Sequence, residues 1–575
     1  MIRLFRFLKP FAGYVVLALL VLFGQAMAEL YLPTLMSEVV NNGMMKGDTG
    51  YIWKYGAYML LVALGSGVCA ITASMLSAII GVGLGRELRD RVFTRVESYS
   101  LHEFDKVGTA SLITRTTNDI NQVQTVIIMG MRFLIYAPIM CIGGIIMAVS
   151  KDKELTLILA VVLPLLALMI GTLASFVVPL FKALQKKLDK VNLVLRENLI
   201  GIRVIRAFNR LEIENKKFSE ANRDLTDTSI RVNKIMAAMQ PIMMVFMNVT
   251  SVAIIWFAGL RIRDGKMELG DMMAFLQYAM QIMFSLIMVS IMYVMVPRAQ
   301  ASAARINEVL DMEPEITDPE KPVKAEGQRG YVEFRDVVFS YPGAEEPALS
   351  NISFAARPGE TTAIIGGTGS GKSTLISLIP RFYDIDSGSI LVDGVDIREM
   401  TQRELRAKIG FVPQSAVLFS GSITENIRYG KQDAVDEEVR HAAEIAQAKE
   451  FISNMQEGYD SVIAQGGTNV SGGQKQRLSI ARAMVRKPEV YIFDDSFSAL
   501  DFKTDARLRA ALKKETGDST VIIVAQRVST VMDADRIIVL DEGQIVGMGA
   551  HKELLNTCEV YREIVSSQLS EEEIA

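Results

Sequence analysis

Charge is missing from long parts of this sequence, and that absence decides its class. No Asp, Glu, Lys or Arg occurs in residues 10–28, 55–85, 133–150, 155–181, 235–260 or 272–297. Each run is near or above the roughly 18 to 20 residues that carry a helix across about 30 Å of hydrocarbon. A wholly soluble chain is excluded, and six crossings of a lipid bilayer are predicted. Cysteine is scarce: Cys69, Cys141 and Cys558 are the only three in 575 residues. They have no metal-ligand spacing, and two fall in predicted spans, so neither a disulfide framework nor a cysteine metal site is expected. A formal net charge of −4 lacks the basic excess that a nucleic-acid partner would require.

The cations that are present predict an orientation. Arg3, Arg6 and Lys9 precede the first apolar run, which places the N-terminus in the cytoplasm. The segments after the second and fourth runs are then cytoplasmic too, and both are long and basic. The first run lacks a convincing small-residue cleavage pattern and reads as a retained span. Residues 2–9 read as a short amphipathic lead-in at the inner surface. Helical periodicity continues past the membrane, with Leu88, Val92, Phe93 and Val96 spaced among charges. At the turning points, segments near 111–119 and 201–210 are short and apolar on one side, as docking helices or plain solvated turns are.

Within the spans, a carboxylate at Glu29 is expensive unless it is paired or faces water. It is a candidate contact for a cationic substrate, or else a partner for another helix. Gln277 and Gln281, one turn apart on the sixth span, offer polar contacts to a substrate or hydrogen bonds between helices. The fifth and sixth spans are rich in methionine, whose flexible thioethers suit either a cavity for varied apolar ligands or ordinary packing.

Pro314, Pro319 and Pro322 mark 311–330 as a linker between a membrane domain, 1–310, and a soluble α/β domain, 331–575. The latter is organised around Gly366, Gly367, Thr368, Gly369, Ser370, Gly371, Lys372, Ser373 and Thr374. An apolar β-branched run precedes this stretch and a helical one follows, the context of a phosphate loop. Its glycines let backbone N–H groups face a triphosphate at a helix N-terminus, Lys372 reaches the β- and γ-phosphates, and Ser373 ligates Mg²⁺. The apolar strand 490–494 delivers Asp494 to the same ion. Tyr341 is placed to stack on a nucleobase.

The order of these motifs, with Val412-Pro413-Gln414, Ser471-Gly472-Gly473-Gln474 and Ser498-Ala499-Leu500-Asp501, resembles the nucleotide-binding domain of ATP-binding-cassette transporters. Six spans ahead of one such domain resemble an exporter half-transporter over essentially the whole chain. The resemblance implies an α-helical membrane domain of six transmembrane helices fused to an α/β P-loop domain, with ATP and Mg²⁺ as cofactors. By that resemblance, ATP is sandwiched between this phosphate loop and a partner's signature, with Ser373, Gln414 and Asp494 serving Mg²⁺. Gln414 would also sense the γ-phosphate, Ser471 to Gln474 would close on the partner's nucleotide, and Asp501 would sit in the loop between the sites. The segments near 111–119 and 201–210 would be coupling helices.

Two positions depart from the family pattern. Asp495 stands where a catalytic glutamate is usual, and Gln526 where a switch histidine is usual. None of the three histidines, His102, His441 and His551, lies there. A carboxylate withdrawn by about 1 to 1.5 Å costs roughly a hundredfold in rate, and glutamine carries neither positive charge nor a transferable proton. With its own signature intact, the chain resembles the degenerate-site subunit of a heterodimeric multidrug-type exporter in a bacterial cell membrane. The alternatives are a slow homodimer, a lipid or peptide exporter, and an ATP-gated channel or regulator.

Overall fold

The computed structural model describes residues 1–325 and 329–569, so part of the expected linker and the last residues of the expected nucleotide domain lie outside the described residues. Contacts divide the chain into two units, Met1–Glu97 with Thr109–Met312, and Ser98–Gly108 with Glu313–Ala575.

In the first unit, six helices are long and apolar enough to cross a membrane: Arg3–Met44, Thr49–Glu97, Thr109–Lys151, Thr156–Ile200, Leu211–Arg263 and Leu269–Asp311. At 42 to 53 residues and about 1.5 Å per residue, they are roughly twice the length that hydrocarbon requires. The lead-in forms a 3₁₀ helix, Ile2–Phe11, with Leu4 and Phe7 buried. Leu22 of the first helix packs with Leu76 and Ile80 of the second. Leu30, Met140, Tyr278 and Ile282 join the first, third and sixth. Small residues permit that approach, since a Cβ on Gly144 would lie 2.7 Å from Ile282. Met239, Met243 and Met247 of the fifth helix share one cluster with Leu166, Met280 and Met283, so most of this methionine face serves packing.

The turning points differ from expectation at one place. Residues 111–119 do not form a separate docking helix but belong to the opening turns of the third long helix, Thr109–Lys151. The free-standing short helix is Leu101–Val107, immediately upstream. Ser100 and Glu103 start it with a reciprocal capping box, and Gly108, at φ +78°, ends it. This helix groups with the second unit, where Glu103 accepts the Glu315 N–H at 3.1 Å. The other turning point holds a helix at Ile202–Ala207 with no buried residue, flanked by exposed Phe208.

The second unit carries a six-stranded sheet. Its order is Gln544–Gly549, Arg536–Asp541, Thr361–Gly366, Thr520–Val524, Val490–Asp494, Ile409–Val412, all parallel except the first pair. The central strands are buried on both faces, which explains their unbroken apolar sequences. A second sheet of four strands, with Val332–Phe339 between Leu349–Ala356 and Ser387–Val392, is antiparallel. Residues 312–325 contain no helix or strand.

Candidate nucleotide site

Four adjacent parallel strands end together at one edge of the large sheet, where a ligand crevice is expected. The strand Thr361–Gly366 runs into the glycine loop, and Ile409–Val412 leads to Gln414. Val490–Asp494 ends at the two carboxylates, and Thr520–Val524 leads to Gln526. Ladder bonds continue past the strand ends, from Ala525 N to Ile364 O at 3.2 Å and from Asp495 N to Val524 O at 2.9 Å. Residues scattered over 160 positions of sequence thus share one edge.

Glycine is required at two points of the loop. A Cβ on Gly366 would lie 2.1 Å from Leu540 O, and Gly371 has φ +96° with Leu349 and Ala348 pressed against it. Lys372 opens the helix Lys372–Leu378 and is buried, its Nζ donating to Gly366 O at 3.0 Å and Gly367 O at 2.6 Å. Burial pushes its pKa down, and the charges of Asp495 and Asp494 oppose that shift. Ser373 Oγ donates to Asp494 Oδ1 at 3.0 Å. Thr374 Oγ1 lies 3.0 Å from the Tyr341 hydroxyl, beside the edge-on rings of Phe339 and Tyr383.

Asp494 and Asp495 are both buried. Burial raises both carboxyl pKa values, and for Asp494 the neighbouring Asp495 adds to the rise. Asp495 adopts φ +43°, a backbone region that aspartate tolerates better than most residues. Gln414 Nε2 lies 3.5 Å from its Oδ2, Ser498 Oγ donates to its main-chain oxygen at 2.9 Å, and the nearby Arg527 charge favours the ionised carboxylate. Among the described residues, no group of three or more His, Cys, Asp or Glu could hold a metal ion. A divalent cation here would draw on hydroxyl, carboxylate and amide oxygens with phosphate oxygens completing the shell. The under-compensated carboxylates beside Ser373 fit hard, oxygen-seeking Mg²⁺, whose chemistry when bound is neutralisation of phosphate charge.

Ser471 to Gln474 lie apart from this constellation. Ser471 caps the helix Gly472–Arg486, exchanging bonds with Gln474 at 2.9 and 3.3 Å, and it is exposed. A Cβ on Gly473 would sit 3.1 Å from Ala499 O, tying the start of this helix to the loop that ends at Asp501. Asp501 caps the helix Phe502–Glu515 through the Thr504 N–H, a bond that holds its carboxyl below the ordinary range.

In the membrane unit, Gln277 and Gln281 line a cavity of about 930 Å³ among the first, second and sixth helices, with Met36, Met59, Met280 and Phe284. Gln281 Oε1 is buried without a partner among the described residues. Glu29 is held by Gln25, Ser66 and Tyr136, while its main-chain oxygen accepts from Gln281 Nε2 at 3.4 Å. Sequence reasoning missed Gln568, which bonds the loop carrying Gln526. It also missed the helix at 101–107, although Ser100-x-x-Glu103 is a legible capping signal.

A phosphate-loop sheet carrying paired carboxylates, preceded by six membrane-length helices, defines a membrane-embedded P-loop ATPase. The chain belongs to the ABC transporters: a model of the ABC transporter transmembrane region matches residues 15–286, and a model described as ABC transporter matches 349–498. It is 43% identical over 565 residues to an uncharacterized ABC transporter ATP-binding protein of Mycobacterium tuberculosis, covering 98% of this chain and 97% of the relative. It is 32% identical to an ATP-dependent lipid A-core flippase of Syntrophus aciditrophicus, covering 90% and 86%. The solved structure of a bacterial Atm1-family ABC exporter with ATP bound superposes with a TM-score of 0.80 at 26% identity, covering 97% of this chain and 99% of that one. This chain is therefore an exporter half-transporter, an ATP-hydrolysing, multi-pass membrane protein whose family acts as dimers.

Proposed function

We propose that this chain is the slow-site subunit of a heterodimeric exporter that moves amphipathic, multidrug-type compounds out of the cytoplasm. One observation carries the reading: the strand leading to Gln526 pairs with the strand leading to Asp495, whose N–H donates to Val524 O at 2.9 Å, so the two departures from the family pattern fall at one edge of one site. ATP is held by Tyr341, the loop Gly366 to Thr374 and Gln414, with Mg²⁺ on Ser373, Gln414 and Asp494. Hydrolysis there is slow, because Asp495 is one methylene short and Gln526, though able to hydrogen-bond the γ-phosphate, carries no positive charge and passes no proton. Ser471 to Gln474, preorganised by their capping box with Ser471 and Gly472 exposed, complete the competent site around the partner's ATP. ATP-driven closure then passes to the long helices through the short helices 101–107 and 202–207.

Steady-state ATPase of the full chain in lipid nanodiscs, beside Asp495→Glu with Gln526→His, tests this. Near-background wild-type turnover with undiminished ATP binding, and a rise of about a hundredfold in the double variant, is expected. Robust wild-type turnover would make Asp495 a working catalytic residue and favour a homodimer.

A second reading, lipid as cargo, is favoured by the flippase relative and by the mostly apolar cavity, where Gln277 and Gln281 are the polar groups. Lipid-stimulated ATPase unaffected by soluble drugs distinguishes it.

A further inference from the structure

One side chain outside the nucleotide motifs is bonded to their main chain at two places. Gln568 follows the helix Glu559–Ser566, which Tyr561 and Val565 anchor in the core at 0% exposure. Its Nε2 donates to Gln526 O at 2.8 Å, and its Oε1 accepts the Val528 N–H at 2.9 Å. The pairing is directional, because turning the amide over would set NH₂ against N–H and carbonyl against carbonyl. Two bonds to residues two apart fix the main chain on both sides of Arg527. From the other side, the same loop is held by Arg527 Nη2, which donates to Ser498 O at 3.1 Å. Arg527 also lies 5.4 Å above the Phe502 ring.

We propose that Gln568 is a positioning residue for the nucleotide switch. It holds residues 526–528 so that position 526 stays beside Asp495, where the terminal phosphate of ATP is read, and it thereby sets the site's preference for ATP over ADP. The proposal rests on reading Gln526 as the switch position. Gln568 acts through the loop and touches no nucleotide itself. Releasing the loop removes a contact to the γ-phosphate while the cradle for the α- and β-phosphates, residues 366–374, keeps its own bonds. The loss is therefore confined to ATP.

The test measures ATP and ADP affinities of the full-length protein in nanodiscs, with thermal unfolding recorded alongside, for wild type, Gln568→Ala, Gln526→Ala and the double variant. Gln568→Ala is expected to lower the ATP-to-ADP affinity ratio about ten- to a hundredfold, the scale of a hydrogen bond to a charged group, with ADP affinity within twofold of wild type. The effect should not add to that of Gln526→Ala, because both remove one contact. If Gln568→Ala fails to fold, Gln568→Glu carries the same comparison, since it keeps the acceptor for Val528 but opposes Gln526 O with a carboxylate. An unchanged ratio in Gln568→Ala beside a reduced one in Gln526→Ala would overturn the proposal alone. So would equal losses for ATP and ADP, or additive effects. An unchanged ratio in Gln526→Ala would overturn the switch reading, and the proposal with it.

Discussion

Adjacent glycines in the phosphate loop answer to different demands. Gly366 is closed in by the main chain of the neighbouring strand, with Leu540 O 2.1 Å from where a Cβ would stand, whereas nothing lies within 4 Å of that point on Gly367. Gly366→Ala should therefore destabilise the nucleotide unit by about 1 to 3 kcal/mol, the usual cost of overpacking. Gly367→Ala should leave the unfolding temperature in place and weaken ATP binding, since a methyl there meets only the ligand. Thermal unfolding with and without ATP separates the two. The carboxylates follow a related logic. Asp494 and Asp495 are held above the ordinary aspartate range by burial, so chelating the divalent cation should abolish the turnover regained by the Asp495→Glu, Gln526→His variant, and Asp494→Asn in that variant should do the same with cation present.

At the scale of elements, the two short helices that lie between the membrane-length ones differ in what they bury. Ile202–Ala207 buries nothing, with Val204 and Phe208 at 60% and 73% exposure. Val204→Asp or Phe208→Asp should thus change stability by no more than about 0.5 kcal/mol while uncoupling transport from ATPase, as transport assays in vesicles would show. Leu101–Val107 is instead tied down through Glu103. Burial pushes that carboxyl up, but bonds from the Ser100 side chain, the Glu315 N–H and the Ser100 N–H outweigh it and hold its pKa below the ordinary value of 4.5. A depressed folded pKa contributes stability that is complete above the unfolded value and is lost as pH falls through the folded one. Hydrogen-exchange protection of 98–108 should therefore fall on acidification below pH 4.5, and Glu103→Ala should abolish that step.

For the whole molecule, the orientation expected from the basic segments bordering the spans is one that labelling can test. On a background lacking Cys69, Cys141 and Cys558, Met45→Cys should react with a membrane-impermeant maleimide in intact cells. Asn209→Cys should react only after permeabilisation. The reverse pattern would invert the reading and place the nucleotide site outside.

Some of this is written in one dimension and some is not. Six charge-free runs specify six membrane-length helices because hydrocarbon tolerates no unpaired charge, a constraint that acts on composition alone. The phosphate loop is equally legible, since its glycines, Lys372 and Ser373 are contiguous and act through local backbone geometry. Strand order is different: that Thr361–Gly366 lies beside Thr520–Val524 and then Val490–Asp494 is settled by long-range pairing. Only that order brings the loop carrying Gln526 beside Asp495. That 101–107 forms a short separate helix while 111–119 continues into a longer one follows from the cap at Ser100 and from Gly108, which breaks the chain between them. Gln568 carries no signal at all, because a lone polar residue after a helix is ordinary until folding of the chain sets its amide on the main chain of residues 526 and 528.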